Sequence, residues 1–306
     1  MNMQVFRHIP SRPAAPIALA IGNFDGVHRG HRAILETLCN RAAELGLAPC
    51  VMTFEPHPRE FFSPATAPAR LTSLREKLEM FEDAGVACVY LCRFDNKFAS
   101  IGAQAFTDDI LRRLNARLIL VGDDFRFGAD RTGDIGMLRD AGFSVENVPD
   151  VTVNGERVSS TAIRKALADG DLEHAAALLG RPYSLSGHVT HGDKLGRELG
   201  YPTANIHMLH DRPPLFGIYA VKLSGIAEEA LPGVASLGVR PTMKVNGRPT
   251  LEVHLFDFDQ DIYGRHVHVI FSKKLRDEEK FPDLEALQRQ MAIDEQMARD
   301  YFKNES

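Results

Sequence analysis

The chain has 306 residues, 44% of them hydrophobic and 25% charged, with a formal net charge of -5. That is the balance of an ordinary globular protein, long enough for two domains of roughly 150 residues each. It argues against bulk binding of nucleic acid, which rests on a basic stripe, but not against a nucleotide, which a few placed donors can hold. The amino-terminal stretch MNMQVFRHIPSRP lacks the apolar core of a signal peptide, and no apolar run reaches spanning length. The expectation is a cytoplasmic protein with no membrane partner; self-association is left open. Of the four cysteines, Cys39, Cys50, Cys88 and Cys92, none forms zinc-like pairs. Cys88 and Cys92 lie along one strand, too far apart for a disulfide, and are expected as buried thiols of a reducing compartment.

Read in chain order, IALAI (Ile17–Ile21) is a strand and leads into a helix from about His28 to Gly46. APCVMTF is a second strand. TSLREKLEMFEDAG is a helix, with Ser73 as N-cap, Glu76 three residues on, and an apolar stripe of Leu74, Leu78 and Phe81. VACVYLCRF is a strand, followed by a helix near Gln104–Leu114, the strand RLILVG, a helix around Gly136–Ala141 and the strand FSVENV. Strands alternating with helices predict a mainly parallel sheet covered on both faces, with ligands beyond the carboxyl ends of its strands. STAIRKALADG and DLEHAAALLG are two short helices that close this half.

Gly180-Arg181-Pro182 then breaks the pattern. GIYAVKL, LEVHLFDF and HVHVIFSKKL alternate with period two between glycine and proline turns, as in an antiparallel barrel or sandwich. A last helix, DLEALQRQMAIDEQMARDYF, is expected to pack on it through Leu284, Leu287 and Met291. The boundary falls near residue 182, giving domains 1–182 and 183–306.

The segment GNFDGVHRGHRAIL (Gly22–Leu35) sets His28 and His31 three residues apart at the mouth of a helix. Residues at that spacing share a helix face and could hold a metal, but no nearby residue completes a zinc site. Gly22, Gly26 and Gly30 fit neither of the common glycine-rich phosphate loops. A purely structural helix start and phosphate binding remain: glycines admit a close ligand, and the first helical turn offers unpaired N–H groups and a positive dipole end. Ser159-Ser160-Thr161 is a helix N-cap with Arg164 one turn in, either a plain cap or a second phosphate-binding helix start. Asp123, Asp124 and Phe125 follow the strand RLILVG.

In the second half, GHVTHGDKLGRELGYPTAN runs from Gly187 to Asn205. It is either a long hairpin connection or, with Gly187, Lys194 and Gly196, a phosphate cradle. Thr203 and Asn205 offer two hard oxygens suited to Mg²⁺. LEVHLFDFDQDIYG puts Leu251, Val253 and Leu255 on one strand face, Glu252 and His254 on the other. Its run of alternate aspartates fails as a calcium loop, because Ile262 replaces the required glycine.

FDGVHRGH, TFEPHP (Thr53–Pro58), VGDDFRFG (Val121–Gly128) and SSTAIR (Ser159–Arg164), in this order, resemble the adenylyltransferase half of the bacterial bifunctional riboflavin kinase/FMN adenylyltransferases. GDKLGRELGYPTAN, GIYAV, SLGVRPT and LEVHLFDFDQDIYG resemble the riboflavin kinase half. Matches run from about residue 17 to residue 294. The resemblance implies a Rossmann-like nucleotidyltransferase domain followed by a kinase barrel, acting on riboflavin, FMN, FAD and ATP with Mg²⁺. It carries over His28 and His31 as phosphate ligands that steady the transition state. Gly22, Phe24, Asp25, Gly26, Ser159, Ser160, Thr161 and Arg164 come with them around the nucleotide, and so do Asp124 and Phe125. For Asp124, where some members have Asn, nucleotide bonding, Mg²⁺ binding and neither role all stay open. Phe54, Pro56, Phe125 and Phe127 are flavin wall or core with equal weight. In the second half the resemblance makes Thr203 and Asn205 the Mg·ATP ligands and Glu252 the general base. Met243, where the family pattern has Phe, is a local departure. Two rivals are a nucleotidyltransferase of another acceptor with a non-catalytic barrel, and a flavin- or nucleotide-binding regulator.

Overall fold

The computed structural model describes residues 3–10, 15–192, 196, 200–239 and 249–305. Met243 and Lys194 therefore lie outside the described residues. Two compact units emerge: Met1–Pro68 with Leu74–Ser159, and Ala69–Ser73 with Ser160–Ser306.

Among the described residues, the first unit holds a six-stranded sheet. Its strands are β1 (Gln4–Phe6), β2 (Ile17–Ile21), β3 (Ala48–Glu55), β4 (Cys88–Arg93), β5 (Ala116–Gly122) and β6 (Ser144–Val148), in the order β1-β4-β3-β2-β5-β6. Every neighbouring pair is parallel. Because strand side chains alternate, β2 feeds two cores at once. Ile17, Leu19 and Ile21 join Phe106, Leu111 and Leu138 on one face. Ala18 and Ala20 join Leu35, Leu38 and Phe81 on the other. Helices thus cover both faces, as the alternation of elements predicts. The chain leaves β2 toward β3 on one side and returns later to place β5 on the other. That reversal is the switch point at which open α/β sheets bind ligands.

Four details depart from expectation. The helix expected near Gln104–Leu114 is a short α turn, Ala103–Ala105, followed by a π-helical segment, Phe106–Leu111. The edge strand β1 carries too little pattern to be read from sequence. Cys88 is not a free thiol: Cys50 and Cys88 are register partners on adjacent strands with Cα atoms 4.8 Å apart, and they form a disulfide. Cys39 and Cys92 remain free, and burial pushes the Cys92 thiol up to about 12. Unpredicted too is a small ribbon of β7 (Thr152–Val153) and β8 (Glu156–Arg157), turned by Asn154 and Gly155 at positive φ.

In the second unit, helices Ser160–Asp169 and Leu172–Leu179 precede a closed antiparallel barrel. Its strands are β9 (Ser184–Thr190), β10 (Ala204–Met208), β11 (Gly217–Ser224), β12 (Leu231–Val239), β13 (Pro249–Leu255) and β14 (His266–Arg276), in the order β10-β13-β12-β11-β14-β9. Pairing of β9 with β10 closes it. Leu251, Val253 and Leu255 are buried while Glu252 and His254 are half-buried, the alternation expected for β13. The final helix, Leu284–Glu305, lies on β11 and β12. The stripe it uses departs from the expected one at Leu284, while Leu287 and Met291 are half-buried. Leu284 is 56% exposed, and the contact is made by Ala298, Tyr301 and Phe302 against Ala220, Val234 and Phe256.

Candidate active sites in the two units

The loop leaving β2 is held in an unusual shape. Phe24 and Val27 have φ of 50° and 37°, and Gly26 has φ 85°. The left-handed region is disfavoured for any residue with a Cβ, and most of all for a β-branched one. The carbonyl of Asn23 anchors this loop by accepting from Thr53 Oγ1 at 3.2 Å and Lys77 Nζ at 2.8 Å. Gly22 donates its N–H to the Met52 carbonyl at 3.1 Å, and a Cβ there would crowd the Phe24 ring at 3.1 Å. Phe24 and Asp25 are buried.

The loop delivers His28 as the N-cap of the helix Arg29–Leu45. His28 is 7% exposed, and its Nδ1 accepts from the His31 N–H at 3.3 Å. Acceptance at Nδ1 fixes the tautomer of the neutral ring, with its proton on Nε2. The two imidazoles stack at 3.6 Å, 14° from parallel, and Phe24 lies 5.1 Å from His31. Gly30 permits the stack, because a Cβ there would stand 3.3 Å from the His28 ring. Burial, then the charges of His28 and Lys77, hold His31 well below the ordinary histidine pKa. His31 Nδ1 and Asn23 Oδ1 are buried with no hydrogen-bond partner. Buried polar atoms are normally satisfied, so such an orphan marks a place where a ligand atom is welcome.

Beyond β5, the neighbour of β2, Asp124 is exposed and pairs with Arg157 at 3.3 Å, while Asp123 bonds Asn147. The aromatics divide. Phe127 is core; Phe54 and Phe125 are half-buried against it, Phe125 stacking on Phe127 at 5.7 Å. Ser159 ends the first unit by contact. Ser160, Thr161 and Arg164 belong to the second, in the first turns of the helix Ser160–Asp169. There Arg164 Nε donates to the Ala69 carbonyl at 2.6 Å and lines a cavity of about 440 Å³ with Leu215, Phe216 and Lys274.

On the barrel, register places four side chains in one row across four strands: Ser236, Glu252, Asn205 and Thr190. Thr203 Oγ1 donates to Glu252 Oε2 at 3.5 Å. Thr203, Asn205 and Glu252, separated by up to 49 residues in sequence, thereby converge. Their Pro202–Thr203 approach is pinned from the same face of β13, where His254 Nδ1 donates to the Pro202 carbonyl at 2.9 Å. Glycines give the row its room. A Cβ on Gly192 would fall on the Asn205 amide, and one on Gly196 would stand 3.3 Å from Thr203 Oγ1. Gly187 does not join them: it sits within β9 opposite Met208, where a Cβ would fall on the His207 carbonyl. A cavity of about 250 Å³ opens beside the row, lined by Thr190, His191, Gly192, Asn205 and Thr250.

Lys77 lies outside every motif read from the sequence, and Asn23 and Gly192 stand inside quoted motifs without being singled out there. Lys77 did leave a signal, since it stands on the apolar stripe of its helix, three residues after Leu74 and four before Phe81.

A doubly wound parallel sheet with a histidine pair at its switch point, joined to a closed barrel bearing a Thr–Asn–Glu row, defines a two-unit enzyme of phosphoryl and nucleotidyl transfer. Family comparison agrees unit by unit: the FAD synthetase model matches residues 11–162 and the riboflavin kinase model residues 179–302. A bifunctional riboflavin kinase/FMN adenylyltransferase from Escherichia coli (strain K12) is 47% identical over 98% of both chains. One from Pseudomonas fluorescens is 49% identical over 91% of both. The chain belongs to the bifunctional riboflavin kinase/FMN adenylyltransferase family. A crystal structure described as a macrolide-efflux protein from Streptococcus pneumoniae shares the fold, with a TM-score of 0.80 and 32% identity over 97% of this chain and 98% of that one. Among the described residues of the present protein, no helix is long and apolar enough to cross a membrane.

Proposed function

We propose that the two reactions of this family are divided between the two halves near residue 182, each run by its own donor set. Riboflavin and ATP give FMN and ADP in the barrel. FMN and ATP then give FAD and pyrophosphate at the parallel sheet. The observation that carries this reading is that the stacked histidines and the Thr–Asn–Glu row share no residue and lie in different units.

For the first reaction, Glu252 takes the proton from the 5′-hydroxyl of riboflavin as that oxygen attacks the γ-phosphorus, and ADP leaves. A positioned base contributes about 10²–10⁴ in rate. The hydroxyl of Thr203, the amide oxygen of Asn205 and the carboxylate of Glu252 are hard oxygens, a donor set that fits Mg²⁺. Thr203 and Asn205 would hold the ion, which would supply charge neutralisation for the ATP phosphates. Gly192 and Gly196 keep the loop backbone close to these ligands, and Lys194 is assigned to the same phosphates.

For the second reaction, a phosphate oxygen of FMN attacks the α-phosphorus of ATP and pyrophosphate leaves, so no protein nucleophile is needed. Catalysis is then positioning and charge stabilisation. His28, with its proton on Nε2, and His31, with an orphan ring nitrogen, supply donors to phosphoryl oxygens. Each preorganised donor is worth about 10²–10³ in rate. Gly22, Phe24, Asp25 and Gly26 shape the loop. Phe125 and Ser159 are the further residues of the first unit proposed to contact the ligand. Asp124, exposed and paired with Arg157, is left without an assigned role.

The test is a pair of variants assayed for both reactions. His28→Ala with His31→Ala should abolish FAD formation and leave FMN formation intact; Glu252→Ala should do the reverse. Loss of both activities in either folded variant would refute the division.

A further inference from the structure

The histidine loop is strained at Phe24 and Val27, so something outside it must hold its shape. One face of the helix Leu74–Asp83 does so, twice, one turn apart. Lys77 donates to the Asn23 carbonyl at 2.8 Å, and the edge of Phe81 meets the Phe24 ring at 5.3 Å, behind His31. Lys77 is only 3% exposed, on a stripe otherwise apolar. Desolvating an ammonium is costly, and a leucine or methionine would fill the same space without that cost.

We propose that Lys77 is a positioning residue for adenylyl transfer, its ammonium clamping the Asn23 carbonyl and so holding the loop that presents His28 and His31. This rests on the reading of that loop as the adenylyl-transfer site. The clamp has an electrostatic side: after burial of the ring and the charge of His28, the charge of Lys77 further disfavours a proton on His31. The other ionisable groups of this loop and helix that are buried beside them are the carboxylates Asp25 and Glu76. Thr53, the second donor to Asn23 from β3, is uncharged.

The experiment compares Lys77→Gln and Lys77→Arg in the full chain, reading both reactions and the titration of the His31 ring by NMR. In Lys77→Gln, kcat/KM for FMN adenylylation should fall at least about tenfold while riboflavin phosphorylation is retained. The His31 midpoint should move to higher pH, and it should do so in Lys77→Met as well, which keeps the packing volume and removes only the charge and the donors. Lys77→Arg keeps charge and donors, so it should leave the midpoint in place and recover most of the rate. Wild-type adenylylation and an unmoved midpoint in Lys77→Gln would overturn the proposal. If Lys77→Gln loses both reactions through misfolding, Lys77→Arg decides: a wild-type midpoint with recovered rate supports the clamp, and a shifted midpoint refutes it. His28→Ala with His31→Ala separates the two levels of inference. Activity surviving in that variant removes the site reading itself, whereas its loss beside an indifferent Lys77→Gln removes only the clamp.

Discussion

His31 is a base placed where it resists taking up a proton. Burial, His28 and Lys77 all depress its pKa, so the unfolded chain binds that proton more readily than the folded one. By linkage, its contribution to stability is complete above the unfolded value of 6.5 and is lost as pH falls from there toward the folded value. Thermal melts on either side of pH 6.5 should show the wild type losing stability on the acid side. His31→Gln should lose less. At the same scale, Gly192 is a test of the kinase row. Gly192→Ala puts a methyl group onto the Asn205 amide. Riboflavin phosphorylation should fall roughly ten- to hundredfold, the cost of misplacing a ligand by about an ångström, with FMN adenylylation retained. The histidines, Thr203 and Asn205 were legible as candidates from residue type and spacing, and Glu252 from the family resemblance. Lys77 and Gly192 were not, because their importance lies in what stands opposite them across 54 and 13 residues of chain respectively.

At the level of elements, amphipathic periodicity located the final helix but misjudged its contact. Leu284 is exposed, and beside the contact of Ala298, Tyr301 and Phe302 the helix is held by an ion pair whose carboxylate is buried. Arg276 on β14 grips Asp294 with two hydrogen bonds of 2.9 and 2.8 Å, and Gln290 adds a third at 3.0 Å. Asp294 is 3% exposed. Removing Asp294 leaves Arg276 part-exposed with Glu279 still 3.5 Å away, so the cost should fall below the roughly 3–5 kcal/mol typical of a fully buried pair. Asp294→Ala should therefore lower the urea midpoint of the barrel unit by a corresponding amount, and adding Arg276→Met should return part of it. Asp257→Asn, which loosens the Arg299 pair on an exposed carboxylate, should move the midpoint far less. The cysteines make the same point about elements. Spacing along β4 correctly kept Cys88 from Cys92, but only the pairing of β3 with β4 set Cys88 opposite Cys50. Register between parallel strands is not a local property.

For the whole molecule, two units with disjoint site residues predict an ordered time course. Incubated with riboflavin, ATP and Mg²⁺, the protein should accumulate FMN before FAD, as separation of the flavins over time would show. FAD appearing with no FMN ahead of it, or no conversion at all, would contradict the division of labour. The sequence by itself determined the class of each half, because the alternation of strand and helix and the switch to period two are local patterns imposed by burial on one or two faces. It also supplied the side chains proposed to carry the chemistry. What only the tertiary structure decided was their assembly: the reversal of strand order that opens a crevice beside β2, and the register that sets Glu252 against Asn205 and Ser236. The buried lysine under a strained loop belongs to that second group as well. These depend on which distant segments pair, and pairing is settled by the packing of the whole core rather than by any window of residues.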